Sequence, residues 1–299
     1  MPTPERLADE FEEHRAHLRA VAYRMLGSAT EAEDAVQESW IRLGRNQGAD
    51  IENLRAWLTT VVARVCLDIL RARKSRREEP LDDDGGNDTH VPDPVITRAD
   101  SDPEASAMLA DSVGLALLVV LETLDPAERL AFVLHDVFGM SFDEIAPIVD
   151  RSSVAARQLA SRARRRVQSS ALNRAPDLRE QRRVVDAFMA AAQKGDFEGL
   201  VAVLDPDIVL RADGGALKAA TRIVRGAREV ASQAATFSSI GLSNELVLVN
   251  GQLGFVSRRP DGHLFSVTGF TIASGRIVEM NILADPERLG RLDLSAIEN

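Results

Sequence analysis

Three sets of residues in this 299-residue chain have types and spacing suited to chemistry. Ser153, Arg157, Ser161, Arg162, Arg164 and Arg165 lie in a stretch, Arg151 to Arg166, that holds six arginines and no acid. Hydroxyls and guanidinium forks at helical spacing can bond phosphate oxygens and guanine edges in a major groove. A second basic cluster, Arg64 to Arg77, carries Arg64, Arg71, Arg73, Lys74, Arg76 and Arg77 against the single acid Asp68. Either cluster read alone is also compatible with a solvated helix face, and the second with cations at a helix C-terminus. In the third set, Asp213 or His263 could do acid–base work in a pocket. Asp213 within Asp-Gly-Gly reads equally as a turn residue, and His263 beside Asp261-Gly262 as the end of a hairpin. Cys66 is the only cysteine, which excludes an internal disulfide and a multi-cysteine metal site. No catalytic residue, metal or cofactor is expected.

The elements that must carry these residues follow from periodicity and capping signals. Residues 5–77 read as helical, with overlapping capping boxes Ser28-Ala-Thr-Glu31 and Thr30-Glu-Ala-Glu33 opening a helix after Gly27. Ala32, Ala35, Val36, Trp40 and Leu43 share one face of that helix. Opposite lie Asp34, Gln37, Glu38 and Ile41, a mixed acidic and apolar patch suited to a basic protein partner and not to DNA. After a polar loop, Gly44 to Asn53, a second helix runs from about Leu54 to Arg73 with Trp57, Leu58, Val61, Val65 and Leu67 as core candidates. Residues 78–103 read as an acidic flexible linker rich in proline and glycine, able to reach roughly 80 Å if extended. Residues 104–170 are helical again. Asp125-Pro126 starts a helix that should stop near Gly139, and Ser141-Phe-Asp-Glu144 caps a short one reaching about Val149. A polar turn and a last helix, Ser153 to Gln168, complete helix-turn-helix dimensions, although Pro147 inside the supporting helix and Asp150 in the turn depart from the simplest pattern. Two helices after residue 178 and alternating β-branched segments separated by Asn250-Gly251, Asp261-Gly262 and Ser274-Gly275 predict an α+β domain.

Composition bounds the class. Apolar residues make up 45% and charged residues 27%, ordinary for a soluble globular protein. No run of about 18 apolar residues predicts a membrane span, and the N-terminal segment lacks a signal-type apolar stretch, so the cytoplasm is the default. The net charge of −10 is segregated: Glu78 to Asp111 holds eleven acids against Arg98, between two basic helical elements. Two cationic modules flanking an acidic tether could engage one long duplex.

Specific stretches carry a family resemblance. Ala22-Tyr-Arg-Met-Leu-Gly27, Glu31-Ala-Glu-Asp34-Ala-Val-Gln37-Glu38-Ser-Trp40 and Asn53-Leu-Arg-Ala-Trp57 resemble conserved region 2 of sigma-70-type factors. Phe142-Asp-Glu-Ile-Ala146 through Ala155-Ala-Arg157-Gln-Leu-Ala-Ser-Arg162-Ala-Arg-Arg165 resembles the helix-turn-helix of region 4. Their order, with only a linker between, is similar to the extracytoplasmic-function type. The resemblance implies that residues 5–77 bind core RNA polymerase through Asp34, Gln37, Glu38 and Ile41 and open the −10 element beside Arg64, Arg71, Arg73 and Lys74. Residues 104–170 would then read −35 DNA. Which residues trap flipped −10 bases is left open.

Residues 178–290 resemble SnoaL-like domains, a cone-shaped α+β barrel. Altered forms of that subgroup's motifs stand at Asp213-Gly214-Gly215-Ala-Leu-Lys218 and Ala284-Asp285-Pro286-Glu-Arg-Leu289, with a faint linker echo at Val91-Pro-Asp-Pro94. The fold expected is therefore multidomain: two all-α sigma modules followed by a SnoaL-like α+β barrel. The resemblance implies that the tail contacts the sigma regions and modulates activity in cis, with a small-molecule ligand in its pocket an open question. Two alternatives differ in class. One is a helix-turn-helix regulator acting without core polymerase. The other is an enzyme whose turnover depends on Asp213.

Overall fold

The computed structural model describes residues 4–46, 51–78, 89–99, 114–169, 177–238 and 241–298. The chain divides into two compact units, residues 1–84 with 120–167 and residues 85–119 with 168–299. Residues 5–77 and residues 120–167 of the expected region 4 span fall in the first unit, while residues 85–103 of the expected linker and residues 104–119 fall in the second.

The first unit opens with α1 (Pro4–Leu26), α2 (Ala29–Asn46) and α3 (Leu54–Glu78). Gly27, at φ +70°, reverses the chain between α1 and α2, and the Ser28 hydroxyl accepts from the Glu31 N–H. Leu18, Met25, Leu26, Leu43, Leu58 and Leu67 are fully buried between these helices, and Phe11 packs on Trp40 with ring centroids 5.0 Å apart. Helix α4 (Leu115–Glu122), whose residues from Val120 belong to this unit, leads to α5 (Pro126–Phe132), which Asp125 caps and a π-helical turn, Val133–Val137, extends. That segment ends at Gly139, as its φ of +71° allows. Helix α6 (Phe142–Val149) has the expected two-way capping box between Ser141 and Glu144. It tolerates Pro147 and closes on Asp150 at φ +56°, one of few non-glycine residues holding that left-handed form. Helix α7 (Ser153–Ser169) follows, seated by Ala156, Ala160 and Ala163, all buried.

The second unit is a seven-stranded sheet in the order β1-β4-β5-β6-β7-β2-β3. Its strands are β1 (Ile96–Arg98), β2 (Leu204–Asp213), β3 (Arg222–Arg225), β4 (Ser243–Val249), β5 (Gln252–Arg258), β6 (Leu264–Ala273) and β7 (Arg276–Leu283). All pairings are antiparallel except β2 with β7. Asn250-Gly251 and Ser274-Gly275 turn with positive φ at both residues, the twist that suits two-residue hairpins. Helices α8 (Leu178–Lys194), α9 (Phe197–Val203) and α10 (Ala227–Ser238) fill one face through Val185, Leu200, Val230 and a row of rings, Phe188, Phe270 and Phe255. The other face is covered by Val91, Ile96, Leu115 and, from α11 (Pro286–Leu289), Leu289.

That covering corrects the linker reading. Residues 89–99 do not form a loose tether within the second unit: β1 pairs with β4, Ile96 opposite Val249. The Asn250 amide oxygen accepts from the Val95 N–H and the Val95 carbonyl from the Asn250 N–H. Val91 and Ile96 supply the apolar contacts, and the prolines stand where an extended segment needs no N–H. The acidic residues 79–88 and 100–113 lie outside the described residues, as do residues 47–50 of the polar loop.

Candidate nucleic-acid interface and regulatory clamp

Helix α7 sorts its polar residues by neighbour. Arg162 and Arg166 reach the buried Glu128 of α5 at 3.0 and 3.2 Å. Arg164 binds Asp136 of the π-helical turn at 2.8 Å through Nε, with Nη2 on the same oxygen. The Ser153 hydroxyl donates to Asp143 of α6 at 2.5 Å. Four side chains close to or within the predicted DNA set therefore lock α7 onto its own unit. Arg157 stands exposed with its guanidinium 5.4 Å above the Phe142 ring, within range of cation–π attraction. Ser161 and Arg165 are exposed, as are Val154 and Gln158, which the sequence reading missed. At about 100° per residue Val154, Arg157, Gln158, Ser161 and Arg165 make one stripe opposite Ala163. Their alternation with buried alanines was the available signal.

The α3 cluster is partly engaged. Arg73 pairs with Glu31 and donates to the Leu26 carbonyl at 3.3 Å. Lys74 pairs with Asp125 at 2.9 Å, and Arg64 donates to the Pro147 carbonyl at 3.3 Å. Arg71 is exposed, and the side chains of Arg76 and Arg77 lie outside the described residues. Helices of the two sigma modules are further joined by Arg129. It is buried and donates through Nε and Nη2 to the Arg24 carbonyl at 3.3 and 3.2 Å. Burial pulls its pKa down to about 10, so it stays charged at neutral pH. Arg24 in turn lies 4.9 Å above Phe138, and His17 meets that ring edge-on. On α2, Asp34 and Gln37 are exposed and Ile41 is 45% exposed, while Glu38 pairs with Arg42 at 2.9 Å. Burial raises the Cys66 thiol to about 12, which leaves it unreactive.

In the second unit the three altered motifs converge on one buried charge cluster. One oxygen of Asp213 accepts from the Val91 N–H at 3.0 Å and from Arg288 at 2.7 Å, and faces His90 at 3.4 Å. The other oxygen accepts from the Gly215 N–H at 3.0 Å. Arg288 also donates to Asp93 at 2.8 Å and to the Val91 carbonyl at 2.5 Å. Burial by itself would raise the Asp213 pKa. The hydrogen bonds from His90, Val91 and Gly215 and the Arg288 charge outweigh it and hold the carboxyl at about 2. Asp285 caps α11, with Pro286 at its first position and Leu289 buried below. Gly215, at φ +58°, lies so close that a Cβ there would overlap the Asp285 carboxylate, and the Gly214 position is closed by Ala220. The Lys218 side chain lies outside the described residues. Arg288 was not among the predicted residues, although it sits inside the quoted motif. Nothing in sequence spacing says that its partners are 75 and 195 residues away.

Neither Asp213 nor His263, each a candidate for acid–base work, lines a pocket among the described residues. Asp213 is fully committed, and His263 sits exposed at the β5–β6 turn, where its N–H donates to Asp261. A cleft bordered by Val201, Pro206, Gly226 and Arg276 includes neither residue. Among the described residues no helix is long and apolar enough to cross a membrane.

Comparison with known proteins agrees with this layout. Residues 11–76 match the model of Sigma-70 region 2, and residues 114–167 match Sigma-70, region 4. The chain is 39% identical to the ECF RNA polymerase sigma factor SigJ of Mycobacterium tuberculosis (strain H37Rv), over 93% of this chain and 92% of that protein. It is 34% identical to the probable ECF RNA polymerase sigma factor SigI of the same species, over 93% of each. The crystal structure of M. tuberculosis SigJ superposes with a TM-score of 0.69 at 35% identity, covering 96% of this chain and 99% of that one. With both sigma regions and the α+β tail matched along nearly its whole length, the chain belongs to the extracytoplasmic-function sigma factors, the promoter-directing subunits of RNA polymerase.

Proposed function

We propose that the exposed stripe of α7, centred on Arg157, Ser161 and Arg165, reads the −35 element, while α3 with Arg64, Arg71, Arg73 and Lys74 engages DNA at −10. The observation that carries this reading is the division of labour on α7. Carboxylates take Arg162, Arg164 and Arg166, while Arg157 and Arg165 face outward and pair with no acid among the described residues. The α2 patch, Asp34, Gln37, Glu38 and Ile41, is the docking surface for core polymerase. Its exposed Asp34, half-buried Glu38 and half-exposed Ile41 suit a basic partner with apolar contacts.

The contacts of Arg64 and Lys74 with Pro147 and Asp125 belong to a closed arrangement of the sigma regions. The two promoter elements lie roughly 80 Å apart along straight duplex at about 3.4 Å per base pair, so these contacts separate when both are bound. The C-terminal domain acts in cis by holding residues 89–99 of the interdomain segment to its sheet. It biases the closed and polymerase-ready states only as far as it binds that strap unequally in the two. On this reading Asp213 is a clamp residue and not a catalyst, the protein works in the cytoplasm, and its partners are core polymerase and promoter DNA. Quantitative binding of the full chain to core polymerase tests the docking patch: Asp34→Arg with Glu38→Arg should abolish the complex, and undiminished binding would remove the patch.

A further inference from the structure

Val154 is the most exposed large apolar side chain among the described residues, at 69%, ahead of Leu217, Ile41 and Leu178. It is the second residue of α7, in the turn that enters the groove first when a helix-turn-helix docks. It stands opposite Ala163, at the centre of the stripe formed by Arg157, Gln158, Ser161 and Arg165. Packing does not place a valine there, because it has no core to fill. Helix propensity does not either, because β-branched residues are poorer helix formers than alanine. Arg157, the one arginine of α7 within a turn of it, lies over Phe142, while Arg162, Arg164 and Arg166 are more than two turns further along the helix. An apolar knob ringed by hydrogen-bonding side chains matches one feature of the major groove, the thymine C5-methyl group, the apolar mark on base edges that are otherwise donors and acceptors.

We infer that Val154 is a specificity-determining residue that reads a thymine methyl in the −35 element. The inference rests on the proposed reading of α7 as the −35 helix. The contact buries about one methyl group, so it should be worth about a four-fold change in affinity.

The test uses holoenzyme reconstituted from core polymerase and the full-length chain. A −35 sequence is first enriched from randomised duplex, and each of its thymines is then replaced singly by deoxyuridine, which lacks only the methyl. Wild-type holoenzyme should bind about four-fold more weakly at one thymine and unchanged at the others. Val154→Ala, an exposed change that favours the helix, should bind the thymine and uracil duplexes equally at that position. An enriched element without thymine, indifference of the wild type to every uracil, or an undiminished thymine preference in Val154→Ala would each overturn the inference. If no sequence is enriched at all, the −35 reading of α7 itself fails.

Discussion

At the scale of single residues, the arginines of α7 divide into two classes that share a sequence stretch but not a role. On the proposed reading Arg157→Ala should weaken −35 binding by about 1–3 kcal/mol and leave the thermal midpoint nearly unchanged. Glu128→Gln should do the reverse. It leaves Arg162 and Arg166 beside a buried neutral amide and should cost about 1–3 kcal/mol of stability, with a smaller effect on DNA. Thermal unfolding alongside duplex titration checks both, and a stability loss in Arg157→Ala equal to that in Glu128→Gln would erase the distinction. Asp213 supplies a pH signature. Its folded-state pKa, about 2, lies below the ordinary 3.8, so its stabilisation is whole above about pH 5 and is lost as pH falls toward 2. After solvent screening this is worth on the order of 1–2 kcal/mol. Asp213→Asn should flatten the acid limb of the stability curve for the C-terminal domain, measured by denaturant unfolding between pH 5 and 2.5.

At the scale of elements, local signals were legible and long-range partners were not. Ser141 and Glu144, Asp125-Pro126, Asn250-Gly251 and Ser274-Gly275 announced their caps and turns because the bonds involved span four residues or fewer. The outward stripe of α7 was legible as a stripe. Its membership was not, because a helical wheel cannot see that Glu128 and Asp136 on a preceding element withdraw three arginines. Ser28, one of two overlapping caps, was chosen over Thr30 by the turn at Gly27. Strand β3 is four residues long and α10 is rich in small side chains, so neither stood out by periodicity. The strap at 89–99 was hidden because its prolines and acids look like tether, and its order comes from a sheet formed more than a hundred residues later. The strap gives a direct prediction. Arg288→Ala leaves Asp93 and Asp213 buried without their shared cation, a loss of about 3–5 kcal/mol for a broken buried pair. Hydrogen exchange at Val91 and Val95 should then accelerate by at least ten-fold, while amides of β5 and β6 stay protected. Unchanged strap protection would show that the sheet pairing alone holds it.

At the scale of the whole molecule, a net charge of −10 conceals a protein whose cations are concentrated on two helices and whose acids crowd the segment between them. In the first unit five of those cations, Arg73, Lys74, Arg162, Arg164 and Arg166, pair with Glu31, Asp125, Glu128 and Asp136. On the proposed reading, the free chain is expected to bind duplex weakly by itself, and core polymerase would free α3 for DNA by parting the sigma regions. Transcription from genomic DNA fragments with core polymerase, mapped at its 5′ ends, tests this account most directly. The comparison is between reactions without the chain, with the full-length chain, and with a chain ending at residue 176. New start sites sharing one −10 and −35 pair should arise only when a form of the chain is added. Contradiction would be the absence of chain-dependent starts from either form, with the purified chain footprinting duplex DNA unaided.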